Sequence, residues 1–162
     1  MGGFSVVVLM SILSFIYLFV IAIFVAVVLY IIMSYTFQGI STMCLCKNMG
    51  YKNTFTSWIP FYNKYLLGKI TGNKVMGGIS GILSFIAICL GTRFYINKEL
   101  EIALFIILVI SLIITFILDT MIAHRIYKSR ANKYGDILTV FNILSLGLLR
   151  PIFLFIVRNK KE

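Results

Sequence analysis

A carboxylate inside an apolar run is costly to desolvate, and Asp119 in "ILDTMIAHR" is such a carboxylate. The chemistry open to it there is proton or cation handling, or pairing with a buried cation. Arg150 in "LLRPIF" is the obvious intramembrane cation. In a straight helix, however, Arg150 would lie roughly 20 Å along its axis from the face that Asp119 approaches. A direct pair then requires strong tilt, or a segment that enters and leaves on one side. The simpler expectation is an interfacial Asp119 bonded to a neighbouring hydroxyl or to Arg125. His124, beside Arg125, reads as an ordinary interfacial residue at a helix end. Asn63, in "SWIPFYNKY", is an amide among aromatics that needs partners, and a capping role at the next apolar segment is favoured over a ligand contact.

Other constellations that carry chemistry are missing. Glu99 and Glu101 fall on the opposite side of an apolar segment from Asp119 and Asp136, so paired-acid catalysis has no pair. A serine nucleophile would need a basic partner, yet the serines of the apolar runs are spaced as packing residues and the lysines sit between runs. Cys44, Cys46 and Cys89 make no disulfide framework, and with a single histidine they make no metal site. The expectation is a protein that is not an enzyme, with no catalytic residues, no cofactor and no metal.

The elements that must position these residues follow from hydropathy. Of the residues, 60% are hydrophobic and 12% charged, with a mean hydropathy of +1.02; a soluble domain has about a quarter of its residues charged. The predicted fold is all-α, an integral membrane protein of one domain with about four transmembrane helices. The segments are 4–37, 75–94, 100–123 and 137–157, with a connector over 47–74. The first 46 residues carry no charged side chain, so a secretory signal with a positive start is not expected and the first run is retained as a span. That run, at roughly 50 Å, exceeds the bilayer and calls for tilt or projection.

The net charge of +10 sits in short blocks between apolar runs, the pattern of loops at an anionic membrane face and not of a nucleic-acid binder. Lys47, Lys52, Lys64, Lys69 and Lys74 fall in the connector, and Arg125, Lys128, Arg130 and Lys133 follow the third run. The turn between the second and third runs has only Arg93 and Lys98, offset by Glu99 and Glu101. The positive-inside rule puts both basic loops in the cytoplasm and the N-terminus outside. A full fourth crossing leaves Arg158, Lys160 and Lys161 outside, and Pro151 would kink it. A crossing is nevertheless favoured over a re-entrant piece, because its 21 residues match the thickness.

Two faces remain. Gly77, Gly81, Ser84 and Gly91 share one side of the second span, where small residues let helix backbones approach. They pack either within the chain's own bundle, which is favoured, or against a partner. In the connector, Pro60 suits the first turn of a helix running to about Ile70, grouping Tyr62, Leu66 and Ile70 with Lys64 opposite. With Trp58 and Tyr65 this reads as a short interfacial helix between the first and second spans.

"WIPFYNKYLLGKI" before a glycine-rich span, with "LLRPIFLFIVRNK" at the tail, resembles small polytopic bacterial membrane proteins of an uncharacterised family with a Trp-x-Pro-x-x-Asn-x-Tyr type connector. The resemblance implies a multi-pass protein of the bacterial cytoplasmic membrane and supplies no activity. The expected function is a non-enzymatic accessory or scaffold subunit of a larger membrane complex. The alternative is a small oligomeric transporter or channel for an ion or small solute, using Asp119, Asn63 and Arg150. The expected partners are anionic lipids at the cytoplasmic face and another membrane protein or a second copy, with no nucleic acid.

Overall fold

The computed structural model describes residues 2–52, 54–97 and 101–159. Lys98, Glu99, Leu100 and the last three residues of the tail lie outside the described residues, so the expected turn and the start of the third segment are only partly covered. Among the described residues every regular element is helical: α1 (Gly2–Asn48), α2 (Tyr62–Ile70), α3 (Lys74–Asn97), α4 (Ile102–Ala131), α5 (Gly135–Leu144) and α6 (Arg150–Val157). Among the described residues three stretches are long and apolar enough to cross a membrane: Val7–Asn48, Lys74–Ile96 and Ile102–Leu144, the last beginning with α4.

The chain divides into two compact units, Met1–Thr36 and Phe37–Glu162. In the first, α1 is apolar all round, and the large hydrophobic side chains from Val7 to Met33 are exposed. Its Ser11 hydroxyl donates to the Val7 carbonyl at 2.9 Å, so the polar atom is satisfied within the helix itself. This is the pattern of a helix whose surroundings are as apolar as it is.

In the second unit α2 and α3 form a tight hairpin. Gly72, at φ 77°, closes α2: the Asn73 amide donates to the Gly68 carbonyl at 2.9 Å and the Gly72 amide to Lys69 at 3.1 Å. The two helices then meet glycine against glycine. A Cβ on Gly68 would stand 2.6 Å from the Gly77 Cα, so nothing larger fits at that crossing. Along α3 the buried positions are Gly77, Ser80, Gly81, Ser84 and Ala87, a single stripe. On α2 the buried residues are Asn63, Leu66, Leu67 and Gly68, with Tyr62 exposed. The apolar face is thus turned by one residue from the expected Tyr62–Leu66–Ile70 set, and Asn63 lies on it. Nor does Pro60 start the helix. Phe61 takes a positive φ of 66° before α2 begins, its ring set edge-on to Phe85 with centroids 5.4 Å apart.

The fourth apolar run differs most from expectation. It forms two short helices instead of one, and at 1.5 Å per residue neither is long enough to cross a bilayer. α5 turns back along α4: His124 meets Thr139 and Lys128 meets Asp136, a pairing that only antiparallel helices produce. A capping motif then stops α5, with Gly147 donating to the Asn142 carbonyl at 2.8 Å and Leu146 to Ile143 at 2.9 Å. Leu146 occupies the left-handed position at φ 52°, where glycine is usual. Pro151 sits in the first turn of α6, where its missing N–H costs nothing, so it begins a helix instead of kinking one. α6 returns to the end of α4 from which α5 left. Leu154 and Val157 share a core with Leu45, Leu67, Ile126, Tyr127 and Ala131, and Asn48 donates to the Arg158 carbonyl at 3.1 Å.

Helix lengths also exceed the apolar runs. α1 continues through Gly39 to Asn48, and α4 runs through its basic turns to Ala131, because charge ends a hydrophobic stretch without ending a helix.

Candidate functional site: a buried charge cluster joining four helices

Asp119 lies on α4 with α2, α3 and α6 converging on it. Lys64 of α2 donates from Nζ to Asp119 Oδ2 at 2.8 Å. Ser80 of α3 donates to Oδ1 at 2.5 Å. The Arg150 guanidinium, at the first residue of α6, forms an ion pair with Oδ2. Lys64 also donates to Ser84 Oγ at 2.5 Å, and the Ser84 hydroxyl donates a hydrogen bond to the Ser80 carbonyl at 2.7 Å. One turn separates Ser80 from Ser84, so both hydroxyls face the same side of α3, and Gly77 and Gly81 beside them let α2 come near enough for Lys64 to reach.

The side chains of Lys64, Asp119 and Arg150 are 16%, 11% and 14% exposed, so the cluster is largely out of water. Two cations face one carboxylate, leaving an excess of one positive charge in a low-dielectric setting. Burial pushes the Lys64 ammonium down from its usual range, opposed by Asp119 and reinforced by Arg150. A cavity of about 10 Å³ touches all three charges, room for on the order of one water.

The donor set determines what this arrangement can do. The hydroxyl, the ammonium and the guanidinium take up three of the roughly four acceptor sites of the Asp119 carboxylate. The Lys64–Ser84 proximity has the spacing of a serine–lysine pair. A general base needs a neutral amine, however, and here the ammonium donates to Ser84 and to a carboxylate while the serine proton is held by a carbonyl. The cluster ties α2, α3, α4 and α6 together.

Asn63 belongs to a second network. Its Nδ2 donates to the Ser57 carbonyl at 2.8 Å, and Thr42 Oγ1 of α1 donates to its Oδ1 at 2.9 Å. The amide therefore pins the turn Phe55–Trp58 and the end of α1 to α2. Trp58 lies against Gly39, where an added Cβ would stand 2.9 Å from the ring. The rings of Tyr62 and Tyr65 are tilted against each other with centroids 5.4 Å apart.

Of the residues singled out from the sequence, Asp119 and Arg150 are brought together, and Asn63 is placed apart from them. Gly77 is buried against α2 and Gly81 against Phe61 just before it, Ser84 joins the charge cluster, and a Cβ added at Gly91 would meet Leu108 at 4.0 Å. The distance expected between Asp119 and Arg150 disappears because the turn after α5 reverses the chain and α6 starts with Arg150 at the level of Asp119. Lys64 and Ser80 were not singled out as members. The signal for Ser80 was present, a hydroxyl one turn from Ser84 on the small-residue stripe. Lys64 had none, since its reach depends on how α2 is rotated.

No known protein family, curated protein or solved structure shows significant similarity to the chain.

Proposed function

We propose that this chain is a non-enzymatic integral membrane protein that serves as an accessory or scaffold subunit of a larger complex in the bacterial cytoplasmic membrane. The observation that carries the reading is where the polar groups of the apolar segments go. Asp119 is taken up by Ser80, Lys64 and Arg150, and Asn63 by Thr42 and Ser57, so the residues that would line a conduit bond one another. Among the described residues the buried Thr115 hydroxyl and Asn142 amide have no hydrogen-bond partner, and the rest of what is left unbonded is apolar surface, most of all the exposed side chains of Val7 to Met33 on α1. Such a surface meets lipid or the helices of another membrane protein.

In this reading α1, α3 and α4 cross the membrane with the N-terminus outside. α2 lies at the cytoplasmic interface, and α5 with α6 forms a re-entrant hairpin. Three crossings put the connector, the basic end of α4 and the tail on one side, in keeping with the positive-inside rule, which a fourth crossing would break at the tail. Anionic lipids face these basic segments.

Purification in mild detergent followed by native mass spectrometry tests the assignment. The expected result is a second, different chain bound in fixed ratio. A homo-oligomer that passes ions in liposomes, with flux abolished by an Asp119→Asn variant that still folds, would replace the subunit reading with the transporter one.

A further inference from the structure

A groove of about 400 Å³ opens between α2 and α3. Its floor is the backbone of Gly78 and Gly81. One wall is made by the rings of Phe61, Tyr62 and Tyr65, the other by Ile82 and Phe85 of α3. Ile82 and Phe85 are 64% and 54% exposed, so the lining offers a ligand surface to touch. A Cβ added at Gly78 would meet only Tyr65, at 3.8 Å, so the space above this glycine is open. No charged residue lines the groove. Its one polar feature at the Gly78 end is the Tyr65 phenol, whose ring lies against Tyr62 and whose hydroxyl forms no hydrogen bond among the described residues.

The helix pairing sets the depth of the groove in the membrane. Counting about 20 residues from Ile102, the start of α4, puts the cytoplasmic edge of the hydrocarbon near Met121. Ser80 and Gly91 of α3 lie beside Asp119 and Leu108 of α4, so the two helices are antiparallel and the same edge falls near Gly78. Phe85 lies about 10 Å deeper along α3. There its ring meets Phe61 edge-on, with centroids 5.4 Å apart.

We propose that this groove holds one acyl chain of a diacyl phospholipid, with the Tyr65 hydroxyl donating to an ester carbonyl of the same lipid. The phenol sits at the hydrocarbon edge, the depth that tyrosine favours and the depth of the glycerol esters. A hydroxyl there needs an acceptor, and the ester carbonyl supplies one. Below it the slot is purely apolar and about 10 Å long, under two helical turns. A docked membrane helix is about 10–12 Å wide and runs the full bilayer thickness, whereas an acyl chain is one methylene wide and fits a slot of this length. Lipid and groove are both apolar, so transfer from water supplies no preference; the chain is held by dispersion contacts with the aromatic wall and the bare glycine floor. With no charge in the lining, the groove reads the chain and its ester, not the headgroup. The proposal rests on the membrane placement in the reading above, but not on the subunit role.

The test uses the full chain in neutral detergent, titrated with phosphatidylcholine in its diester form and in its diether form, which lacks the carbonyls. Bound lipid is counted by native mass spectrometry. The diester is expected to bind about fivefold more tightly, the worth of one neutral hydrogen bond. Tyr65→Phe should bring the diester down to the diether affinity and leave the diether unchanged. Gly78→Leu, which fills the open floor, should weaken both lipids about tenfold or more. Ala103→Leu, which adds the same bulk at an exposed position near the other end of the span, should change neither. Diester phosphatidylglycerol should match diester phosphatidylcholine. Size-exclusion profiles and helical content confirm that the variants fold. Three results would overturn the proposal: lipid binding that survives Gly78→Leu, equal affinity for diester and diether, or a bound protein chain that Gly78→Leu releases while lipid binding stays the same. Lipid counts need no co-purifying chain, so the groove and the subunit reading fail separately.

Discussion

Asp119 accepts from Ser80, Lys64 and Arg150, and the energetic weights of the three charges differ because the cluster carries one cation too many. Asp119→Asn leaves two buried cations facing each other and is expected to cost about 3–5 kcal/mol, read as a lower midpoint of thermal or denaturant unfolding in mild detergent. Lys64→Met instead leaves a balanced Asp119–Arg150 pair and is expected to cost far less, or to stabilise. Equal losses in the two variants would contradict the excess-cation account. The same residue sets a pH dependence. Burial lowers the Lys64 pKa from its ordinary 10.5, so between its folded value and 10.5 the unfolded chain holds the extra proton. Stability therefore rises with pH in the window immediately below 10.5. The rise should flatten in Lys64→Met when unfolding midpoints of the two proteins are compared across that window.

At the scale of elements, the α2–α3 hairpin depends on the absence of side chains at one crossing. Gly68→Ala places a methyl 2.6 Å from the Gly77 Cα, and Gly77→Ala drives one into the Lys64 carbonyl. Each is expected to destabilise by about 1–3 kcal/mol, since backbone must move to make room. The double variant should cost less than the sum, because the first displacement already opens the gap the second needs. The α5–α6 turn makes the opposite prediction. Leu146 holds a left-handed conformation that costs a non-glycine residue roughly 1–2 kcal/mol, and its side chain is 79% exposed. Leu146→Gly is expected to raise the unfolding midpoint slightly, the relieved strain exceeding the added chain entropy. The apolar pattern of 137–157 contained the residues of both helices, but the break depends on a capping motif in which a leucine stands where glycine is usual. Before Gly147 the signals for it were Asn142 and Ser145, polar residues that also occur within helices, and the expected span continued past them.

At the scale of the whole molecule, the path of the tail decides the topology. With three crossings, single cysteines at Lys133 and Asn159, in a background lacking Cys44, Cys46 and Cys89, should react with an impermeant maleimide from the same side. A cysteine at Tyr95 should react from the other side. Opposite reactivity of the first two positions would restore a fourth crossing. The contacts behind this expectation are those of α6, which brings Val157 into the core beside Ala131 and the Arg158 carbonyl to Asn48.

The chain's hydropathy by itself determined an all-helical protein with long apolar spans, because 20-residue stretches without charge have no stable alternative in water or lipid. Charge placement marked the basic ends, and the spacing of Gly77, Gly81 and Ser84 marked a face built for close approach. It also singled out Asp119, Arg150 and Asn63 as polar groups needing partners. Only the tertiary structure decided who those partners are. Lys64 reaches Asp119 because α2 is rotated by one residue from its apparent apolar face, and Arg150 reaches it because a turn halfway along the last apolar run reverses the chain. Both depend on where helices are started, stopped and turned by a few backbone hydrogen bonds, and hydropathy, which measures transfer between solvents, carries no information about those bonds.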